Sequence, residues 1–358
     1  MPIKIDALMK DINKSAKAKI LNKGLVRTKA QRIPFSSDRI NYCTYGGLPR
    51  GRIHEFFGEE NGGKTTTALD ICANAAKIFE AEAKAASTDT DQVVEPKAIL
   101  YLDCENSLDA EWADLLGVDV ANMYILKPEY QSAEEIFEVT LNLIDSGDVG
   151  LVIIDSLGVM ISGAELEKTV EEKTYGGISA ALTKFSKKAV QLCQRTGCTL
   201  IGINQLRDNL NNPNDFAHTS GGRAWKFNCT CRLMFRKGSF INADGDELPR
   251  KADEPIGNRV MMSVQKTKLF PSDRRTGFYT LRYETGIDSA YDLIDLAVFK
   301  GIIIQKSAWY YYGTEKYQGF FNLYTAISND ATVFNKIKQD LQKFIKGDDE
   351  VVSAEITE

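Results

Sequence analysis

The sequence predicts an α/β fold with a mainly parallel central sheet, and three observations carry that prediction. The runs Ala98-Ile99-Leu100-Tyr101-Leu102, Gly150-Leu151-Val152-Ile153-Ile154 and Thr199-Leu200-Ile201-Gly202-Ile203 are continuously apolar. Alternation is absent, as in strands covered on both faces. Helical spacing over 132–146 and 177–196 separates these runs. Finally, a glycine-rich loop, Gly58-Glu59-Glu60-Asn61-Gly62-Gly63-Lys64-Thr65, stands between a β-rich segment, Ile53–Phe57, and a helix opening at Lys64.

That loop is a full G-x-x-x-x-G-K-T. Backbone N–H groups from Gly58 to Gly63 and the start of the helix at Thr65 and Thr66 form a cradle for phosphate oxygens. Lys64 is placed to reach the β- and γ-phosphates of ATP, and the Thr65 hydroxyl to complete a Mg²⁺ shell. The strands end in polar residues, where ligands of open α/β sheets bind. Asp155 closes its run as a second contributor to Mg²⁺, directly or through water. Glu105, just past Leu102, is placed to orient or deprotonate an attacking water, and Gln205 to sense the γ-phosphate by hydrogen bonding.

The chain has 358 residues, of which 43% are hydrophobic and 26% charged, the balance of a soluble globular protein. No apolar run approaches the roughly 18 residues of a membrane span, and the start Met-Pro-Ile-Lys-Ile-Asp is no signal peptide. The seven cysteines lack zinc spacing and read as free, mostly buried thiols of a reducing cytoplasm. Net charge is −5, with an uneven distribution. Nine lysines and arginines face two aspartates before residue 33, whereas residues 348–358 hold five acids and no base. A basic head and an acidic tail suit a polyanion binder tuned by its own tail, and equally a solvated helix and a free end.

In chain order, Ile5, Leu8, Met9, Ile12, Ala16 and Ile20 set one amphipathic helix over 4–21. The helix after the loop extends through Glu80–Ala86 into a polar loop, Ser87–Asp91. Residues 167–176 and 206–222 are polar segments following strands, and the second, too polar to pack and longer than most connections, reads as a functional loop. Strands are expected over 229–236 and 259–266 around a turn-rich excursion. Residues 288–346 form a smaller unit, with a helix at 292–297 and a hairpin at Trp309–Gly313.

With these pieces in place the chain resembles the RecA family of homologous-recombination ATPases, end to end. Gly46-Gly47-Leu48-Pro49-Arg50-Gly51-Arg52-Ile53 is similar to the family's G-G-L-P-x-G-R-I. Leu102-Asp103-Cys104-Glu105-Asn106-Ser107-Leu108-Asp109 is similar to D-x-E-x-x-L-D, and Leu116-Gly117-Val118-Asp119 to L-G-V-D. Ile203-Asn204-Gln205-Leu206-Arg207 resembles I-N-Q-x-R, and Ser220–Phe227 resembles T-G-G-x-A-L-K-F. The resemblance implies a RecA-type core over 33–287, an N-terminal oligomerisation helix and linker over 1–32, a small α+β domain over 288–346 and an acidic tail over 347–358. It implies filaments on single-stranded DNA that pair with homologous duplex, with ATP at each protomer interface.

By matched position, Asp109 and Trp112 fall where the family contacts adenine, Glu105 would activate water, and Gln205 would couple the γ-phosphate to the second DNA loop. Lys266 and Lys268 match lysines that reach a neighbour's phosphates, and Phe227 matches an interface aromatic. Loops 167–176 and 206–222 match the two DNA loops. There Tyr175 and Leu210 would wedge between base triplets, beside Gly176. The amides of Gly221 and Gly222 would hold phosphates, with Arg207, Lys187 and Lys188 adding charge. Such contacts carry no sequence code.

The chain departs from the pattern at Glu59, where proline is usual, and at Gly62, where a small hydroxyl residue is usual. Ala180 stands where the family has an arginine, a loss that Arg223 would compensate. These departures fit a bacteriophage-encoded member as well as a bacterial one. Two alternatives share parts of the pattern: a hexameric helicase on the same core, which would form rings, and a non-enzymatic recombination mediator, which would release no phosphate. The docking helix and the G-G-x-A-x-K-F segment argue against the first, and intact Lys64, Thr65, Glu105 and Asp155 against the second. Single-strand-binding and mediator proteins are the further partners expected of a cytoplasmic recombinase.

Overall fold

The computed structural model describes residues 4–15, 30–90, 92–169, 177–207, 218–249 and 251–347. Two units result, Met1–Gln31 and Arg32–Glu358. In the first, α1 (Lys4–Ser15) is amphipathic, and Ile5 and Leu8 of its apolar stripe are exposed. The remainder of the helix expected over 4–21 lies outside the described residues, as do residues 348–358 of the acidic tail.

The second unit opens with β1 (Arg32–Ile33), paired to β2 (Leu48–Pro49) across α2 (Asp38–Cys43). The strand β3 (Ile53–Gly58) is buried along its whole length and enters the glycine loop, which feeds α3 (Lys64–Thr90). Ser87–Thr90 belong to this helix, correcting the polar loop expected there. Ser87 and Thr88 return their hydroxyls to the carbonyls of Ala83 and Lys84, which keeps polar residues compatible with the helix.

Next come β4 (Ala98–Asp103), α4 (Ala110–Leu115), β5 (Tyr124–Leu126), α5 (Ala133–Ser146) and β6 (Val149–Asp155). The start of α5 is fixed by a capping box between Ser132 and Glu135, and its end by Gly147 in the left-handed region. The short α6 (Gly163–Leu166) and the long α7 (Ser179–Thr196) lead to β7 (Thr199–Arg207), β8 (His218–Thr219) and α8 (Gly222–Asn228). Then β9 (Cys231–Ile241), β10 (Glu247–Leu248), β11 (Gly257–Thr267), β12 (Thr276–Arg282) and β13 (Gly286–Ile287) follow. Both β9 and β11 are longer than the expected 229–236 and 259–266, because the intervening excursion folds back as β10 on β9.

Sheet order is β13-β12-β11-β9-β3-β7-β6-β4-β5, parallel from β9 to β5 and antiparallel beyond β9. One face packs under α3, with Phe56, Phe79, Ile153 and Phe235 among its buried side chains. The other packs under α5 and α7, where the Phe137 and Phe185 rings stack at 4.3 Å. Register matters for function. Asp103 pairs with Asp155 and Gly58 with Gln205, so the polar strand ends lie level on one edge.

Beyond the sheet, α9 (Ser289–Phe299), a meander β14 (Ile304–Lys306), β15 (Trp309–Tyr312) and β16 (Glu315–Gln318), then α10 (Phe320–Asn329) and α11 (Ala331–Lys346) enclose a third core. The hairpin expected at Trp309–Gly313 is thus part of a three-stranded sheet. All seven cysteines are free, six of them buried.

Candidate active site at the strand ends

A cavity of about 630 Å³ opens at the level edge, lined by the glycine loop from Glu60 to Thr66 together with Glu105, Trp112, Asp155 and Gln205. Gly63 has φ of +89°, and a Cβ there would stand 2.7 Å from Val260 Cγ1. Only glycine lets the loop turn this close to β11. Gly58 and Glu59 do not line the cavity, but their carbonyls take the Lys64 ammonium at 3.2 and 2.5 Å. Lys64 is buried, and burial lowers its pKa against the opposing pull of Asp155, Glu105, Glu60 and Glu59.

Two hydroxyls converge on one carboxylate oxygen. Thr65 Oγ1 donates to Asp155 Oδ2 at 2.8 Å, and Tyr101 Oη donates to the same oxygen at 2.7 Å. Burial raises the pKa of Asp155, and these hydrogen bonds oppose the rise. Nearby, Glu105 Oε1 accepts from Ser156 Oγ at 2.5 Å and from Gln205 Nε2 at 3.2 Å. The turn that presents Glu105 is organised by buried Asp103, which accepts from the backbone N–H groups of Ser107 and Leu108.

Trp112 forms one wall of the cavity. Asp109 is not among the lining residues; its Oδ1 caps α4 by accepting from Glu111 N and Trp112 N. Lys237, Asn258 and Tyr283 also line the cavity, and Tyr283 Oη donates to Asn258 Oδ1 at 3.0 Å. None of these three, nor Tyr101, lies in a motif. Tyr101 is hidden inside an apolar run, and the others are isolated polar residues on and beside antiparallel strands, so sequence reasoning passed over all four.

Behind Gln205 lies a buried polar network. Asn204 Nδ2 donates to Glu55 Oε1 at 3.1 Å and to Ser220 O at 2.9 Å. Arg232 pairs through Nε with the other oxygen of Glu55, reaches Thr219 Oγ1 at 3.4 Å, and stacks 4.5 Å from the Phe57 ring centroid. Strands β3, β7 and β9 are thereby tied to Thr219 and Ser220, at the far root of the second loop.

Of the residues expected at DNA, Gly221 and Gly222 open α8 with φ of +95° and +73°. A Cβ on Gly221 would stand 2.3 Å from Leu182 Cδ2. Arg223 beside them is exposed, and Arg207 is paired through its backbone with His218. Lys188 pairs with Glu138 of α5 at 3.3 Å, and Lys187 is exposed on the same helix. Tyr175, Gly176 and Leu210 lie outside the described residues.

At the other end of α8, Phe227 is 69% exposed. Lys266 Nζ donates to Lys226 O at 2.6 Å and Phe227 O at 2.9 Å, and Lys268 Nζ to Phe227 O at 2.6 Å. Three residues from separated motifs therefore form one surface cluster.

A buried lysine in a glycine loop and a hydroxyl–carboxylate pair on parallel strand ends define a P-loop nucleoside triphosphatase. Residues 3–288 match the RecA N-terminal domain family. Protein RecA of Chlorobaculum tepidum is 32% identical over 349 residues, covering 96% of this chain and 92% of that protein. Protein RecA of Chlorobium limicola is 31% identical over 98% of this chain and 92% of its own, and that of Aquifex pyrophilus 32% identical over 82% and 77%. The chain belongs to the RecA family. It is a DNA-dependent ATPase that catalyses homologous pairing and strand exchange in recombination and repair, and it binds DNA and assembles with itself. Among the described residues, no helix is long and apolar enough to cross a membrane.

Proposed function

We propose that this ATPase uses ATP chiefly as a switch, with Gln205 carrying the nucleotide state to the second DNA loop. The observation that carries the reading is the hydrogen bond from Gln205 to Glu105, set on a strand whose preceding residue, Asn204, holds Ser220 at the loop's far root. The Gln205 amide exchanges Glu105 for a γ-phosphate oxygen when ATP is present. That exchange frees Glu105 to take a proton from the attacking water. Lys64, whose ammonium has only backbone carbonyls as hydrogen-bond partners among the described residues, turns to the phosphates.

The donor set fits Mg²⁺ carried by the nucleotide. Among the described residues, no group of three or more His, Cys, Asp or Glu side chains could hold a metal alone, whereas Thr65 and Asp155 offer a hydroxyl and a carboxylate at the phosphate cradle. Bound there with ATP, Mg²⁺ neutralises phosphate charge and orients the γ-phosphoryl group. Trp112 stacks against adenine. Tyr175 and Leu210 separate base triplets, and Gly176, Gly221, Gly222, Arg207, Arg223, Lys187 and Lys188 contact the DNA backbone.

In this reading residues 1–32 dock on a neighbouring protomer, 33–287 form the ATPase core, 288–346 a small domain, and 347–358 an acidic tail that competes with DNA. The assembly is a helical filament on single-stranded DNA in a bacterial cytoplasm or a phage-infected cell, served by single-strand-binding and mediator proteins. Negative-stain imaging with single-stranded DNA and a non-hydrolysable ATP analogue tests it. Long helices are expected; rings would turn the reading to a helicase.

A further inference from the structure

We propose that Tyr101 is a positioning residue of the nucleotide site, fixing one edge of Asp155 so that its other oxygen faces the metal that accompanies ATP. The proposal rests on the reading of Asp155 as the carboxylate that holds Mg²⁺, and it concerns how that carboxylate is oriented.

Tyr101 projects from the middle of β4 into the core beneath α3, where it is 1% exposed. Its neighbours there are apolar, and a phenylalanine would fill the same volume without a polar atom to satisfy. A buried phenol needs a partner. Here the partner is Asp155 Oδ2, one strand away on β6 and 2.7 Å distant. Because Thr65 Oγ1 donates to the same oxygen at 2.8 Å, Oδ2 is held from two sides, by the core and by the first turn of α3. Rotation of the carboxylate would break both bonds. Oδ1 takes no hydrogen bond from any described residue, so it is the oxygen left to meet a metal-bound water. The arrangement follows the general pattern in which a metal-binding carboxylate is itself oriented by outer partners.

The test uses Tyr101→Phe, which keeps the ring and removes only the oxygen, in the full-length protein. ADP binding is measured by calorimetry in EDTA and across a Mg²⁺ titration, and the electron paramagnetic resonance spectrum of Mn²⁺ with ADP is recorded on both proteins. Affinity in EDTA should stay within twofold of the parent. The Mg²⁺ concentration giving half the metal-dependent gain should rise about tenfold, the scale of losing an outer partner of a metal ligand, and the Mn²⁺ spectrum should broaden. A metal shift below threefold, or an equal loss of affinity in EDTA and Mg²⁺, overturns the proposal. If the phenylalanine variant melts early, Tyr101→Met removes the same donor with a side chain that repacks more freely. Asp155→Asn separates the two readings. If it leaves the Mg²⁺ dependence unchanged, the role of Asp155 fails and Tyr101 falls with it; if it abolishes that dependence while Tyr101→Phe does not, Tyr101 alone is wrong.

Discussion

Gln205 Nε2 donates to Glu105 Oε1 at 3.2 Å, joining side chains one hundred residues apart at the ends of β7 and β4. The bond holds the proposed base against the proposed sensor, so the two should separate on mutation. Glu105→Gln should keep ATP binding and lose turnover by about a hundredfold or more, the typical contribution of a general base. Gln205→Ala should instead equalise single-stranded DNA affinity between ATP and ADP. Phosphate release and fluorescence anisotropy read the two effects, and a Gln205→Ala protein that still grips DNA more tightly with ATP contradicts the switch.

Lys64 bears on stability as well as chemistry. A loop lysine reads from sequence as a surface group, yet it is 8% exposed and its ammonium donates to the carbonyls of Gly58 and Glu59. Desolvation of its charge opposes folding, so Lys64→Ala should abolish hydrolysis while leaving the urea midpoint unchanged or slightly higher. A clear loss of stability would mean that the ammonium is a structural staple of the loop.

Motif spacing made the parallel strands and their polar ends legible, because each buried strand leaves its apolar run at Asp103, Asp155 or Gln205, where the chain meets the cavity. Less legible were contacts that depend on register. Nothing in the string places Tyr101 opposite Asp155, or Arg232 against Glu55, since both pairs arise from strand order across the sheet. Asp109 adds a local example: besides its motif position, its Oδ1 caps α4, a role the motif alone does not reveal.

The Glu55–Arg232 pair gives a stability prediction. Glu55 is fully buried and also accepts from Asn204, so Glu55→Ala leaves the partly buried guanidinium without its carboxylate. Destabilisation of about 3–5 kcal/mol is expected, whereas a Glu55→Leu, Arg232→Leu double replacement should recover much of it. Urea unfolding of the single and double variants measures the coupling. Near-additive losses would show that the ion pair is not the unit that matters.

His54 predicts a pH dependence. Its ring is fully buried, Nε2 lies 2.8 Å from Pro49 O, Nδ1 has no partner among the described residues, and burial drives the pKa down to about 3. The unfolded chain therefore takes up a proton below its ordinary 6.5 that the folded chain refuses, and stability falls as pH drops from 6.5 toward 3. The contribution at about pH 5 is on the order of 2 kcal/mol. His54→Val should flatten this limb of the urea-midpoint profile, and an unchanged slope would assign acid sensitivity elsewhere.

Lys266 and Lys268 give the prediction that reaches furthest, because it concerns two protomers. Both ammonium groups lie on the last carbonyls of α8, beside the exposed ring of Phe227. Neither lines the nucleotide cavity of its own chain. Burial and the neighbouring Lys268 charge lower the pKa of Lys266, so an anion brought to this surface would relieve repulsion within the pair. We expect that anion to be the neighbour's ATP in a filament, so that the site would be complete only when two protomers meet. Protein carrying Lys266→Ala and Lys268→Ala should bind ATP normally but lose DNA-stimulated turnover by about a thousandfold, the lower range for a cation supplied in trans to a transferring phosphoryl group. Lys64→Ala protein should be inactive for the opposite reason. Mixed, the two should regain part of the activity at junctions where an intact P-loop faces intact lysines, with recovery following the product of their mole fractions. Full DNA-stimulated turnover by the double lysine variant alone would place these lysines outside the chemistry and return them to capping α8.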